Sequence, residues 1–288
     1  MTTIRVGGVP EHFNFPWHLC IEQGDFNYED LKVEWTNFPG GTGAMNEALK
    51  NKEIDVAIIL TEGIIKDITL GNPSRIIQTY VESPLLWGIH VAHHSGFQHL
   101  NELENSTAAI SRKGSGSELM AYIQAKNMGW DPEDLKFEIV GDIDGAVAAL
   151  ISDKAQYFMW EHFTTKPLVD NKTFRRLGDC PTPWPCFVIA AHEEFISNNE
   201  HDLAKMLGVV NAKTVGLKEI PEIVELFAVR YGQKTEDVKE WLEITSWSKN
   251  QMADEEVNKV QNALLDLNLI PQKLPVSNFI YNLETSNN

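Results

Sequence analysis

Ile54-Asp55-Val56-Ala57-Ile58-Ile59-Leu60-Thr61-Glu62-Gly63 is the stretch that decides the fold. Its first seven residues, six of them apolar, form the kind of run that is buried on both faces of a sheet. Thr61 to Leu70 then carries helical spacing and stops at Gly71-Asn72-Pro73. Ile76 to Val81 is the next strand. Upstream, Ile4 to Gly7 reads as a strand, and Phe13 to Gln23 as a helix with Gly24 as its stop. Leu31 to Thr36 alternates as a strand. Gly43 to Lys50 is a short helix entered through Pro39-Gly40-Gly41-Thr42. Strand and helix alternating at this spacing predict right-handed crossovers and a largely parallel sheet. Such sheets bind ligands beyond the carboxyl ends of their strands.

A second series repeats the pattern. Gly88 to Ala92 and Thr107 to Ser111 are strand-like, Ser117 to Met128 is helical and ends at Gly129, and Lys136 to Val140 is a strand. Ile143, Val147, Leu150 and Ile151 form a helix stripe, and Tyr157 to Trp160 is a short buried strand. Cys186 to Ala191 is a further strand, entered through Pro181-Thr182-Pro183-Trp184-Pro185. From Glu193 the pattern is helical, with apolar faces at Leu203, Met206, Leu207 and Val210 and at Val257, Val260, Leu264 and Leu267, broken at Pro221 and Pro271. The end, Glu284 to Asn288, is polar and reads as frayed. The fold class is therefore α/β: two Rossmann-like lobes and a helical C-terminal tail. The simplest organisation joins the lobes by two strands. Lobe I is then discontinuous, residues 1–87 and 186–288, lobe II is residues 88–185, and the ligand sits in the cleft between them.

The 288 residues carry 41 acidic and 24 basic side chains, a net charge of −17. That balance argues against a nucleic-acid partner, which needs a basic face, and against docking on an anionic membrane. No stretch approaches the ~20 apolar residues of a membrane span. The start shows neither a basic n-region nor an apolar h-region, so the expected location is cytoplasmic if Met1 is the native start. Cys20, Cys180 and Cys186 give no disulfide framework and read as buried thiols. His93-His94 lies in a polar loop without further nearby ligands, so no metal is expected. No P-loop, GxGxxG or HExxH motif is present, and no cofactor is expected.

The sharpest local signal is Ser111-Arg112-Lys113-Gly114-Ser115-Gly116-Ser117-Glu118, which comes after a strand and opens a helix. Free N–H groups of a first helical turn favour an anion or a carbonyl, and the Ser115 and Ser117 hydroxyls, flanking Gly116, add donors. The alternative is a serine cap and nothing more. Gly41 and Thr42 repeat the logic, with Thr42 as N-cap, ligand donor or both. His12, Phe13 and Asn14 come after the first strand. Thr61 and Glu62 come after the Ile54 to Leu60 strand. Trp160 and Glu161 stand at the end of the Tyr157 run, where Glu161 either binds an amino group or caps the next helix. Ser83, Trp87 and Trp184 lie at the junctions, where the indoles either pack the hinge or stack on a flat ligand. No residue is singled out as a catalytic nucleophile: there is no G-x-S-x-G elbow.

Taken together, Gly7-Gly8-Val9-Pro10, FPGGTG (38–43), IDVAIILTEG (54–63), SPLLWGIHV (83–91), SRKGSGSELM (111–120), YFMWE (157–161) and TPWPCFVIA (182–190) resemble the type II periplasmic-binding-protein fold. More narrowly they resemble the group that includes nitrate, sulfonate and taurine substrate-binding proteins and the thiamine-pyrimidine (NMT1/THI5-like) proteins, above all a signal-less intracellular subfamily. The resemblance implies ligand contacts on the loops already chosen, a two-strand hinge, and lobes that close on a small polar ligand, aromatic or anionic, with a link to thiamine-pyrimidine metabolism. Two departures matter. Transporter-linked members are secreted or anchored, and no signal is visible here, which argues against a transport partner. The yeast pyrimidine synthases carry a CCCFC motif that this sequence lacks, so their chemistry is not transferred. The rival reading is a cytosolic enzyme on the same fold, a dehydratase-like lyase or a pyrimidine-precursor synthase, with Glu161, Glu62 or His12 as base.

Overall fold

The computed structural model describes residues 1–283; the polar end Glu284 to Asn288 lies outside the described residues. In chain order the elements are β1 (Thr2–Gly8), α1 (Phe15–Gln23), β2 (Leu31–Asn37), α2 (Gly41–Lys50), β3 (Val56–Leu60), α3 (Thr61–Thr69), β4 (Ser74–Val81) and β5 (Leu86–Ala92). Next come β6 (Thr107–Ile110), α4 (Gly116–Met128), β7 (Lys136–Ile139), α5 (Ile143–Ile151), β8 (Tyr157–Glu161), α6 (Lys166–Asp170), β9 (Phe174–Pro181) and β10 (Phe187–His192). Four helices close the chain: α7 (Glu193–Gly216), α8 (Ile223–Tyr231), α9 (Thr235–Ile244) and α10 (Asp254–Asp266).

The chain divides into two compact units, Met1–Ser83 with Trp184–Asn288, and Pro84–Pro183. The first holds a five-stranded sheet of order β2-β1-β3-β10-β4, and the second a five-stranded sheet of order β7-β6-β8-β5-β9. In the first, β1 runs parallel to β2 and β3, and β10 runs antiparallel to both β3 and β4. In the second, β6 runs parallel to β7 and β8, and β5 runs antiparallel to β8 and β9. Each sheet is therefore mixed, with one reversed strand in fourth place, where the sequence leads one to expect a largely parallel sheet. The apolar runs of β5 and β10 look the same in either direction, because burial on both faces removes any sign of orientation.

The decisive stretch does form the core. Val56, Ala57, Ile58 and Ile59 are fully buried, with β1 on one side and β10 on the other. Burying each isoleucine contributes roughly 1.5–3 kcal/mol relative to leaving it exposed. Strand β9, Phe174–Pro181, has no counterpart in the sequence reading. Only two of its eight residues are buried, so it lacks the alternation that marks a strand. The outer edge of β4 is covered by the C-terminal segment through bridges from Ile76 to Ile280 and from Val81 to Trp247. No helix among the described residues is long and apolar enough to cross a membrane. Cys20, Cys180 and Cys186 are buried and form no disulfide among the described residues, and burial pushes the Cys20 thiol up to about 12 and the Cys180 thiol to about 11.

Candidate functional site

In the first unit, β1, β2 and β3 are parallel neighbours, so their carboxyl ends share one edge of the sheet. The turns that leave this edge carry His12 to Asn14, Gly41 and Thr42, and Thr61 and Glu62. Because β10 is reversed, its start reaches the same edge: Phe187 is paired with Leu60 and with Val81. That brings Trp184 and Ser83 to it as well.

Glu62 is the centre of this edge. It is buried on the first turn of α3, and its Oε2 accepts a hydrogen bond from Trp184 Nε1 at 2.9 Å. Its Oε1 is buried and has no partner among the described residues. Burial raises the Glu62 pKa to about 7 against the pull of its hydrogen bonds. Thr61 holds the returning chain: its Oγ1 donates to Pro185 O at 2.5 Å, and its N–H donates to Cys186 O at 3.1 Å. Thr61 and Trp184 thus have structural partners in addition to the role expected of them. Ser83 is half-buried, with its Oγ accepting from Ser246 N at 3.2 Å and its carbonyl from Cys186 N at 3.3 Å.

Helix α2 begins at Gly41, with Gly40 as its N-cap, so Thr42 is a residue of the first turn and not the cap. The reason is Gly41 itself, whose φ of +68° turns the chain into the helix two residues early. The Thr42 methyl packs where α3 comes close. A Cβ on Gly63 would lie 2.2 Å from Thr42 Cγ2, so only glycine allows this approach. Asn46 Nδ2 donates to Gly63 O at 3.2 Å and ties the two helices, while its Oδ1 is buried and unpartnered among the described residues. No sequence signal marks Asn46, because an asparagine inside a polar helix reads as surface.

His12 and Phe13 sit in an aromatic cluster. The His12 ring stacks on Phe13 at 4.8 Å and meets Trp241 edge-on at 4.3 Å, while Phe13 lies 5.1 Å from Phe187. Burial lowers the His12 pKa to about 3, which favours the neutral ring at physiological pH. Asn14 Nδ2 donates to Val9 O at 2.9 Å, and its Oδ1 is buried without a partner among the described residues.

In the second unit, the parallel neighbours β6 and β8 present their carboxyl ends side by side, and antiparallel pairing sets Trp87 opposite Glu161. The turn after β6 is held by its own hydroxyls. Ser115 is the N-cap of α4 and accepts from Glu118 N at 3.3 Å. The Ser115 and Ser117 hydroxyls are 3.0 Å apart, and Ser117 Oγ accepts from Ser111 N at 3.0 Å. One hydroxyl donates to the other, which leaves a single hydroxyl hydrogen of the two for a further acceptor. Gly116, half-buried, is the first helical residue.

Glu161 closes β8 as its last residue. Its Oε2 accepts from Thr164 N at 2.6 Å, and burial raises its pKa while that hydrogen bond lowers it. As a cross-strand pair, Trp87 and Glu161 lie on one face of the sheet. Trp87 is buried, and its Nε1 has no partner among the described residues. Trp160 alternates to the opposite face, where it stacks on Phe158 at 5.5 Å and packs against the core that includes Ala146, Ala149 and Leu150. The structure thus brings Trp87, Glu161 and the α4 start to one edge, and the Trp160 indole meets that of Trp87 edge-on at 6.2 Å. Among the described residues, no group of three or more His, Cys, Asp or Glu side chains is arranged to hold a metal ion.

Residues 87–180 match a family described as Ca3427-like PBP. No curated protein matches the chain. Several solved structures do. A Candida albicans protein, the CA3427 gene product, is described as defining a new family with the generic periplasmic binding protein structural fold. It is 25% identical, with a TM-score of 0.89 over 99% of this chain and 98% of its own. The periplasmic aliphatic sulphonate binding protein SsuA from Escherichia coli is 17% identical, with a TM-score of 0.76 over 99% of this chain and 94% of its own. The alkanesulfonate-binding protein SsuA from Xanthomonas axonopodis pv. citri, bound to MOPS, is 15% identical, with a TM-score of 0.82 over 97% and 98%.

Proposed function

We propose that this chain, which has the type II periplasmic-binding-protein fold and matches the Ca3427-like PBP family over residues 87–180, binds a small polar ligand at the carboxyl ends of its strands. The observation that carries the reading is Glu62. A buried carboxyl oxygen without a partner is costly, roughly 1–3 kcal/mol, and a ligand N–H satisfies it. In the other unit, the Trp87 indole N–H and the α4 start offer donors to a carbonyl or an oxyanion. The ligand class is therefore a small molecule that carries both a donor and an acceptor group, and an aromatic ring suits the Trp87 indole.

The test is a thermal-shift screen of the full-length protein with pyrimidines, thiamine derivatives, aromatic carboxylates and sulfonates. A ligand at ~100 times its Kd stabilises by roughly 2.7 kcal/mol, a shift of several degrees. The hit is expected to lose its shift in Glu62→Gln and in Ser117→Ala. A shift unchanged in both variants counts against this site.

The raised pKa of Glu62 favours a second reading, an enzyme on the same fold. A carboxyl near neutrality suits proton transfer. Mass analysis of the recovered ligand separates the two readings: turnover that is abolished in Glu62→Gln supports the enzyme, and an unaltered ligand supports binding alone.

A further inference from the structure

A cavity of about 310 Å3 opens at the amino-terminal edge of the first sheet, away from every loop described above. Asp55 precedes β3 and His192 ends β10, and because these strands are antiparallel the two residues meet there, with His192 N donating to Asp55 O at 3.0 Å. Arg5, Lys52, Asp55, His192 and Glu194 line the cavity, and Ile54 and Phe195 add an apolar wall.

The charges are not equally free. Asp55 is satisfied by Arg5, whose backbone N, Nε and Nη2 donate to it at 2.8, 3.0 and 2.5 Å. Lys52 pairs with Glu194, with both side chains more than half exposed. Arg5 retains donors on Nη1, and Lys52 retains two further N–H bonds. His192 supplies another donor. Its Nδ1 accepts from Glu194 N at 3.1 Å, so the ring proton resides on Nε2, which has no partner among the described residues. Burial, then the charge of Lys52, lowers the His192 pKa and keeps the ring neutral. Three donors from three elements thus converge where the principal carboxylate is already spent. The Lys52–Glu194 pair is exposed and screened by solvent, so it adds little to stability.

We propose that this cavity is a second ligand site, taking a small organic or inorganic anion, a carboxylate or a phosphate, held by Lys52, Arg5 and the Nε2–H of His192. The volume is near the lower end of small-molecule pockets, roughly 300–1,000 Å3, so the ligand is a small metabolite rather than a nucleotide. The two cations and two carboxylates of the lining sum to zero, so the anion is held by directed hydrogen bonds from Lys52, Arg5 and His192 rather than by a net positive field.

The experiment tracks histidine ring resonances of the full-length protein by NMR, with His192 assigned from His192→Gln. Inorganic phosphate and succinate are titrated separately at constant ionic strength. The His192 signal is expected to move saturably with at least one of them, and the one that saturates identifies the anion class. In Lys52→Gln, which changes an exposed side chain, the affinity falls about tenfold. A response linear in both anions, or equal in Lys52→Gln, overturns the proposal. So does loss of the response in Ser117→Ala, which assigns the anion to the other unit.

Discussion

Glu62 gives the sharpest prediction at the scale of one residue. In the folded protein it holds its proton to about pH 7, whereas an unfolded glutamate loses it near about 4.3. Between those values the folded state binds more protons than the unfolded one. Stability therefore falls as pH rises through this window and is level above it. Glu62→Gln cannot ionise and flattens the slope. At pH 8 the variant is expected to exceed the parent by on the order of 3 kcal/mol, read as melting temperature against pH. Gly63 gives a second. Gly63→Ala sets a methyl into Thr42 and costs about 1–3 kcal/mol, and Thr42→Ser, which removes the methyl it meets, recovers most of that loss in a double-mutant cycle. Glu62 is legible in sequence as a strand-end carboxyl. Its bond to Trp184, 122 residues away, is not, because local spacing carries no record of which distant segment returns to a strand.

Elements bounded by their own chemistry are readable in sequence, and elements defined by their neighbours are not. Helix α4 starts at Gly116, one residue before the predicted Ser117, and its boundary is nearly legible because the cap is made within four residues. Ser115→Ala is expected to cost about 1 kcal/mol through the lost cap. Ser117→Ala orphans the Ser111 N–H and costs roughly 1–3 kcal/mol, so it is the more damaging of the two in urea unfolding. Strand β9 carries no sequence signal because its side chains are mostly half-exposed, and its identity comes from pairing with β5. Helix α2 starts two residues before the sequence predicts, because a glycine pair reads as entry loop and Gly41 here forms the first turn.

At the scale of the molecule, the fold class and the C-terminal helices emerge from periodicity, and the direction of β5 and β10 does not. That reversed strand has a consequence for autonomy. The second unit, Pro84–Pro183, contains all five strands of its sheet in one continuous segment. The first needs β10 between β3 and β4, and β10 comes only after the second unit is complete. A fragment of residues 84–183 is expected to unfold cooperatively in urea, and a fragment of residues 1–83 is not. Cooperative unfolding of residues 1–83 would show that β10 is dispensable.

During synthesis the same feature imposes a wait. Strand β4 ends at Val81 and β10 begins at Phe187. A ribosome making about 5–20 residues each second takes roughly 5–20 s to cover that interval. Throughout it, the nascent chain exposes the facing edges of β3 and β4 with nothing to bridge them. Those strand edges stay unpaired until the second half has been translated, and slow codons between the two strands would lengthen that exposure.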